Sequence, residues 1–533
     1  MSGSEKAAGP LADNQASQAR TVRLLADPAT HGGVPVTVIE THVHRVFLAG
    51  ERAYKLKRAV RYPYLDYSTV DRRHAMAGAE VGINRRTAPE LYLGLTPVVQ
   101  RGTGLALGRL TEPDATVPEA DSVVDWLVTM RRFDNDCLMS AMAEAGRLNL
   151  ATVNRLVDEL AHFHGSVQPR RQDNTTARFA SSLEESLDEL RSAPHLFPST
   201  DVAALSQAAR QAMARFGPMM DQRGRDGFVR HCHGDLHLRN VYVTADGRPV
   251  PFDAAEFSID LVTVDVWDDL AYLLMDLWHR GARHLANGAM NRYAENTADY
   301  AGMAPLPLYL AARAVIRAKV AASAHALAPP GGRAALAHEA RAYLRSARLF
   351  LAPRPPRLAA IGGLSGTGKT TLARALAPDL GTPPGALVLR SDVTRKIMAG
   401  AGRLDRLRPD SYTPQSSAAV YGRLWQMAAD GLARGQSVIV DAVHGRPQER
   451  TAIADVARHA GTPFAGLWLE ADTATLTSRI AGRTGDESDA TPEVVAIQAA
   501  RDTGPMTWSR LDVSGERSDA VRSAWAALRR AGL

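Results

Sequence analysis

The sequence predicts an α+β bilobal domain followed by an α/β domain built on a parallel sheet, and three observations carry that prediction. Short strand-like runs crowd residues 21–97, and long amphipathic helices dominate from about residue 121. Beyond a Pro-rich stretch at 352–357, apolar runs alternate with helices, the pattern of a parallel sheet covered on both faces. At the end of the first such run stands Gly363-Leu364-Ser365-Gly366-Thr367-Gly368-Lys369-Thr370, which fits G-x-x-x-x-G-K-S/T at every fixed position.

Composition bounds the rest. A chain of 533 residues is too long for one core and suggests roughly two to four domains. With 45% hydrophobic and 23% charged residues it reads as an ordinary globular protein. The net charge of +6 suits anionic substrates such as nucleotides without establishing nucleic-acid binding. Two cysteines, Cys137 and Cys232, exclude a disulfide framework and a C-x-x-C metal site, which fits a reducing cytosol. No apolar run reaches the length of about 18 residues that a membrane span needs, and residues 1–20 lack a signal-peptide core, so a cytoplasmic protein with a disordered tail at 1–20 is expected.

Taken in order, the first domain runs over 21–351. Strands are expected at 36–39, 45–48 and 53–57, the last with period-two alternation, then a helix at 69–86 and a strand at 92–98, making a small antiparallel sheet. Helices at 150–164 and 181–191 follow, then a hairpin-rich segment at 229–264 and helices at 268–278, 306–327 and 333–351. The Pro/Gly cluster at 328–332 reads as a loop within this domain. Residues 352–357 form a semi-rigid linker, and the second domain, 358–533, carries strands at 358–361, 386–389, 437–440, 464–469 and 508–513.

The glycine loop has assignable chemistry. Glycines permit positive φ and let backbone N–H groups of Gly363, Ser365, Gly366, Thr367, Gly368 and Thr371 turn toward a phosphate. Lys369 reaches the β/γ-phosphates and Thr370 ligates Mg²⁺, so the second domain is expected to bind ATP or GTP with magnesium.

A second constellation precedes it: His233-Gly234-Asp235-Leu236-His237-Leu238-Arg239-Asn240, followed by Pro251-Phe252-Asp253. It resembles the catalytic loop and metal-binding aspartate of the aminoglycoside phosphotransferase family, within the wider protein-kinase-like fold, with Asp and Asn five positions apart. The resemblance implies that Asp235 orients or deprotonates a substrate hydroxyl and that Asn240 and Asp253 ligate metal. It also implies a phosphate-contacting lysine on an upstream strand, for which Lys55 is the candidate, with Lys57 on the same face and Glu80 as ion-pair partner on the next helix. Two departures stand out. The turn that would cover the phosphates reads Glu40-Thr41-His42-Val43-His44 instead of a glycine-rich loop, and Asp253-Ala254-Ala255-Glu256 offers Glu256 as a further metal-shell carboxylate. Asp265, Asp268 and Asp269 are expected to be structural caps. The side chains of His231-Cys232-His233 alternate and do not converge on one ion, while Arg313 and Arg317 share a helix face that reads as solvated.

In the second domain, Asp392-Val393-Thr394-Arg395 resembles the substrate-side segment of small P-loop kinases such as the gluconate kinase, polynucleotide kinase and zeta-toxin-like groups. That resemblance implies that Asp392 accepts the acceptor hydroxyl's proton and Arg395 orients the acceptor. Asp441, at the end of an apolar strand, suits a Walker-B carboxylate if that strand neighbours the glycine-loop strand. Arg479 and Arg483 suit a lid that neutralises phosphate charge.

The whole resembles bacterial bifunctional phosphotransferase/ATP-binding fusions. That resemblance implies two nucleotide sites using ATP and Mg²⁺ and a kinase transferring the γ-phosphate to a small-molecule hydroxyl. Two other readings stay open: a regulatory nucleotide-binding first domain, or a P-loop domain acting on an RNA end or nucleotide sugar. A nucleic-acid partner is not expected, since Tyr412, Tyr421 and Trp425 are the only aromatic candidates to line a groove by Asp392.

Overall fold

The computed structural model describes residues 9–41, 43–62, 65–115, 122–256, 262–352, 354–481 and 488–533. They divide into two compact units, Met1–Arg171 with Asp226–Leu270, and Gln172–Arg225 with Ala271–Leu533.

The first unit is organised by an antiparallel sheet of β1 (Val36–Glu40), β2 (His44–Ala49), β3 (Arg52–Lys57), β6 (Tyr92–Arg101), β7 (Gly104–Leu107) and β8 (Val123–Arg131). The order is β1-β2-β3-β8-β6-β7, and two-residue strands β4 (Arg61–Tyr62) and β5 (Leu65–Asp66) pair beside it. The sheet is larger than expected because β8 lies where helices were predicted. As a central strand buried on both faces it reads as the apolar run Trp126-Leu127-Val128 and shows little alternation. Its single buried acid, Asp125, accepts from Arg73 Nε at 2.7 Å and from Gln18 Nε2 at 2.9 Å.

Gln18 corrects a second expectation. Residues Gly9–Ala26 form a helix, so the disordered tail expected at 1–20 is helical over 9–20 while 1–8 lie outside the described residues, and Gln18 ties the helix down by donating to the Lys57 carbonyl at 2.7 Å and accepting from Ala59 N at 2.9 Å. The Val70–Asn84 helix begins at Thr69, whose hydroxyl accepts from Arg72 N, and packs Ala77 and Val81 against Leu95, Trp126 and Val128. That same buried face carries Glu80 toward β3. In the remainder of this unit the Leu150–Ser166 helix precedes β9 (Val229–His231), the β10 (Val241–Val243) and β11 (Pro249–Pro251) hairpin, and β12 (Thr263–Asp265), which pairs with β9.

The second unit holds a parallel sheet of β13 (Leu358–Gly363), β14 (Leu387–Arg390), β15 (Val438–Asp441), β16 (Phe464–Glu470) and β17 (Ser509–Asp512), in the order β14-β15-β13-β16-β17. Every residue of β13, β14 and β15 is buried, as expected of strands covered on both faces. The chain runs outward from β13 to one edge and then returns to its other side, so the strand order reverses at β13, the position at which open parallel sheets place their ligands beyond the carboxyl ends of the strands. The same unit contains the helices Thr175–Arg191, Ser199–Asp226, Arg283–Thr297, Leu306–Leu327 and Pro330–Leu351. Pro330 opens the last of these where a loop was expected, since proline's missing N–H and preset φ are tolerated at a first helical position. Among the described residues no helix is long and apolar enough to cross a membrane.

Candidate active sites

In the first unit β3 presents Lys55 and Lys57 two residues apart on one face. Lys55 Nζ lies 2.8 Å from Glu80 Oε1 and 2.7 Å from Asp253 Oδ1. Lys57 Nζ takes the other Glu80 oxygen at 2.6 Å and Glu256 Oε1 at 3.0 Å. Burial pushes the Glu80 carboxyl up, but the two ammonium groups bring it down to about 2. Burial also opposes charge on Lys55, yet Asp253 and Glu80 carry it well above its ordinary value. Glu256 moves the other way, raised chiefly by burial, and is engaged with Lys57 and the Tyr67 hydroxyl.

The Asp253 carboxylate is part-exposed, and its backbone is strained, with φ of +59° at a non-glycine residue. Its N–H donates to the Tyr92 hydroxyl at 3.2 Å, and the next N–H donates to Asn84 Oδ1 at 2.8 Å. Asn84 lies one turn beyond Glu80 and donates to its carbonyl, so one helix positions the partners of both Lys55 and Asp253.

The 233–240 loop is anchored on Asp269. Its carboxylate accepts from Gly234 N at 2.7 Å and His233 N at 3.3 Å and meets His164 Nε2 at 3.0 Å. Burial resists its ionisation, but His164 and these N–H groups bring it to about 2. Asp269 therefore anchors a loop, a wider task than the helix cap expected. Arg86 adds a clamp by donating to the His231 and Cys232 carbonyls at 2.5 and 2.9 Å. Within the loop Asn240 Nδ2 donates to Asp235 Oδ2 at 2.9 Å, which leaves Asn240 Oδ1 as the atom available to a cation. Asp235, Asn240, Asp253, Lys55 and Glu80 thus form one connected cluster. Cys232 is buried with Sγ 3.6 Å from the Val264 carbonyl, and burial raises its thiol well above the ordinary value.

In the second unit Gly363, Gly366 and Gly368 have φ of 137°, 90° and 82°. A Cβ would stand 2.6 Å from the Leu469 carbonyl oxygen at Gly363 and 2.9 Å from that of Leu476 at Gly366, so these two positions require glycine. Thr367 closes the loop by donating to the Leu364 carbonyl at 2.8 Å, and Ser365 N donates to Gln498 Oε1 at 2.9 Å. Lys369 Nζ rests on the Gly363 and Leu364 carbonyls, each at 2.9 Å. β15 does neighbour β13, and Thr370 Oγ1 donates to Asp441 Oδ2 at 2.5 Å. Thr371 follows on the first turn of the Lys369–Leu376 helix.

Asp392 stands on the first turn of the Ser391–Met398 helix that β14 feeds. Burial, and then the charge of Asp441, raise its carboxyl above the ordinary range, the condition of a group suited to taking a proton. Arg395 is oriented by the Ser411 carbonyl at 2.6 Å and by the Tyr412 ring beneath it at 4.9 Å.

Arg479 donates to the Val513 carbonyl at 2.8 Å, and Arg483 lies outside the described residues. Arg313 is buried over the Tyr272 ring and Arg317 lies over Tyr343, where a solvated face was expected. Sequence reasoning missed Asp489, which binds the Tyr412 hydroxyl at 2.6 Å and Lys396 at 3.3 Å. It also missed His444, fully buried against the Tyr421 and Trp508 rings at φ of +51°, where burial and then Lys369 and Arg450 depress the imidazole to about 3. No local pattern marks either residue.

A family model described as a phosphotransferase enzyme family matches residues 139–306, and one described as an AAA domain matches residues 358–505. The uncharacterized protein Rv2004c of Mycobacterium tuberculosis is 30% identical over 498 residues, covering 92% of this chain and 95% of its own. The uncharacterized protein Mb2027c of Mycobacterium bovis matches to the same extent, 30% over 498 residues. Among solved structures, a choline/ethanolamine kinase family protein from Mesorhizobium loti is similar at 16% identity, over 63% of this chain and 99% of that one, with a TM-score of 0.35. A gluconokinase from Sinorhizobium meliloti is similar at 21% identity, over 33% of this chain and 94% of that one, with a TM-score of 0.24.

Proposed function

We propose, from the premise that this chain belongs to one family with these mycobacterial proteins and is a kinase/phosphotransferase that fuses two kinase-like domains, that both domains catalyse. Each transfers the γ-phosphate of ATP to a hydroxyl of a small molecule. The observation that supports two sites best is the contact of Lys55 with both Glu80 and Asp253, which joins the β3 lysine, the helix carboxylate and the aspartate after β11 in one cluster.

In the first site Asp235 accepts the hydrogen bond of the incoming hydroxyl and orients it, while Lys55, held by Glu80, meets the phosphates. The candidate metal ligands Asn240 and Asp253 offer hard oxygens, as do Thr370 and Asp441 in the second site, and the absence of thiolate or imidazole from both sets fits Mg²⁺. When bound, magnesium supplies charge neutralisation across the β- and γ-phosphates. In the second site Lys369 leaves the loop carbonyls for the phosphates, Asp392 takes the acceptor's proton and Arg395 orients the acceptor.

The test is ATP turnover and phosphate transfer over a metabolite panel for Asp235→Ala, Lys369→Ala and the double variant. Each single variant is expected to abolish a distinct set of acceptors. If Asp235→Ala leaves every transfer intact, the first domain is a regulatory nucleotide module; if the double variant turns over like wild type, the kinase reading of these sites fails. A nucleotide or RNA-end acceptor for the second site is the alternative, favoured by the exposed Tyr412 ring under Arg395, a stacking surface near Asp392.

A further inference from the structure

Among the described residues β14 is an edge strand, with β15 on one side only. Its open side is covered by the helix Arg283–Thr297, which lies inside the segment matched as a phosphotransferase. Four residues of that helix, spaced four apart, face the P-loop fold. Arg283 pairs with Asp379 at 3.3 Å, and Asn287 Nδ2 donates to the Ala386 carbonyl at 3.0 Å. Asn291 Nδ2 donates to the same carbonyl at 3.2 Å while its Oδ1 accepts from Val388 N at 2.7 Å, and Glu295 forms an ion pair with Arg403.

Asn291 copies a β ladder. A residue of a neighbouring strand would give one donor to Ala386 O and one acceptor to Val388 N, two residues on, and one side-chain amide supplies both. Asn287 and Asn291 are buried and hydrogen-bonded to each other at 3.1 Å, so the pair is held in place. The edge of a sheet would otherwise be left unpaired.

What this grip holds is the acceptor side of the P-loop site. β14 ends at Arg390, and the next residues are Ser391 and Asp392. On the far side of that short helix, Glu295 holds Arg403, whose carbonyl accepts from Lys396 Nζ at 2.9 Å. Lys396 pairs with Asp489, Asp489 holds the Tyr412 hydroxyl, and Tyr412 underlies Arg395. One helix therefore secures the segment before Asp392 and the segment after Arg395.

We infer that Asn291 and Glu295 are positioning residues for Asp392 and Arg395, so that the P-loop active site is complete only with a helix from the phosphotransferase segment. This rests on the kinase reading of the second site.

The experiment uses the full-length chain carrying Asp235→Ala, so that only the P-loop site turns over. It measures ATP hydrolysis, binding of a fluorescent ATP analogue, and hydrogen exchange. Asn291→Ala and Glu295→Gln are each expected to lower kcat by about ten-fold or more, because small misplacements of reacting groups are costly. Analogue binding at the loop 363–370, read as the part that Lys369→Ala removes because Lys55 still holds nucleotide in the first site, stays within about two-fold, as expected when only transition-state positioning is lost. Exchange quickens at 386–403 and not at 363–370. Glu295→Arg with Arg403→Glu is expected to recover most of the turnover that either change alone loses.

Wild-type kcat in Asn291→Ala, or loss of turnover with faster exchange throughout and no recovery in the charge swap, overturns the inference. Should Asn291→Ala not fold, Glu295→Gln and the charge swap decide alone. Lys369→Ala separates the two levels: if it leaves turnover and analogue binding intact, the kinase reading of this site fails and the inference fails with it.

Discussion

Replacing Glu80 by glutamine isolates what one carboxylate contributes to the first site. Glutamine has the shape of a protonated glutamate, so the variant holds at all pH values a state that the wild type reaches only in acid. Glu80 is fully buried between Lys55 and Lys57, and although burial opposes its charge, the two lysines take it from 4.5 to about 2. At ~1.4 kcal/mol per pH unit that fall stabilises the folded protein by about 3 kcal/mol at pH 7. The sign follows from the depression: the contribution is complete above 4.5 and disappears as pH drops through about 2. Urea unfolding of full-length protein, read by hydrogen exchange of β3 and β8 peptides, should show Glu80→Gln about 3 kcal/mol less stable at pH 7, with about half that gap at pH 3. A gap below ~1 kcal/mol, or one that does not narrow in acid, would show that Asp253 and Glu256 alone satisfy both lysines.

The other perturbations separate the two units. Gly363→Ala places a methyl group 2.6 Å from the Leu469 carbonyl at φ of 137°, and is expected to abolish binding of a fluorescent ATP analogue at the P-loop while leaving the Asp235-dependent activity unchanged. Asp269→Asn removes the charge that Gly234 N–H and His164 share. It is expected to cost about 2 kcal/mol of first-unit stability by urea titration and to depress the Asp235-dependent kcat without changing P-loop turnover.

The motifs were legible because each is short and chemically constrained. The glycine loop needs positive φ where Gly363, Gly366 and Gly368 stand, and the 233–240 loop sets the Asn240 amide against the Asp235 carboxylate. Lys55 and Glu80 could be paired from strand alternation and helix position, and they meet at 2.8 Å. β8 was not legible because a strand with both faces covered loses its period, and Asp125 in its middle looks like a solvated break until Arg73 and Gln18 are placed beside it. The N-terminal helix escaped for the same reason: an Ala/Gly/Ser/Gln-rich segment signals disorder, and only the distant Lys57, Ala59 and Asp125 show what Gln18 is for.

The Arg283–Thr297 helix shows how far this limit reaches. Arg283, Asn287, Asn291 and Glu295 repeat every four residues, which in sequence is the signature of a wet helix face. Here the face is polar because its partner is a bare strand edge, whose exposed groups are peptide N–H and C=O, and an apolar helix face would leave those groups unpaired at a cost of roughly 1–3 kcal/mol each. Asparagine suits the task better than any apolar residue, since its amide reproduces the peptide group that the edge lacks. A polar stripe on a helix that follows one domain and precedes another is therefore evidence for a docking surface as much as for solvent. The discriminating feature is chemical: asparagines four apart, able to donate and accept at once, flanked by charges of opposite sign.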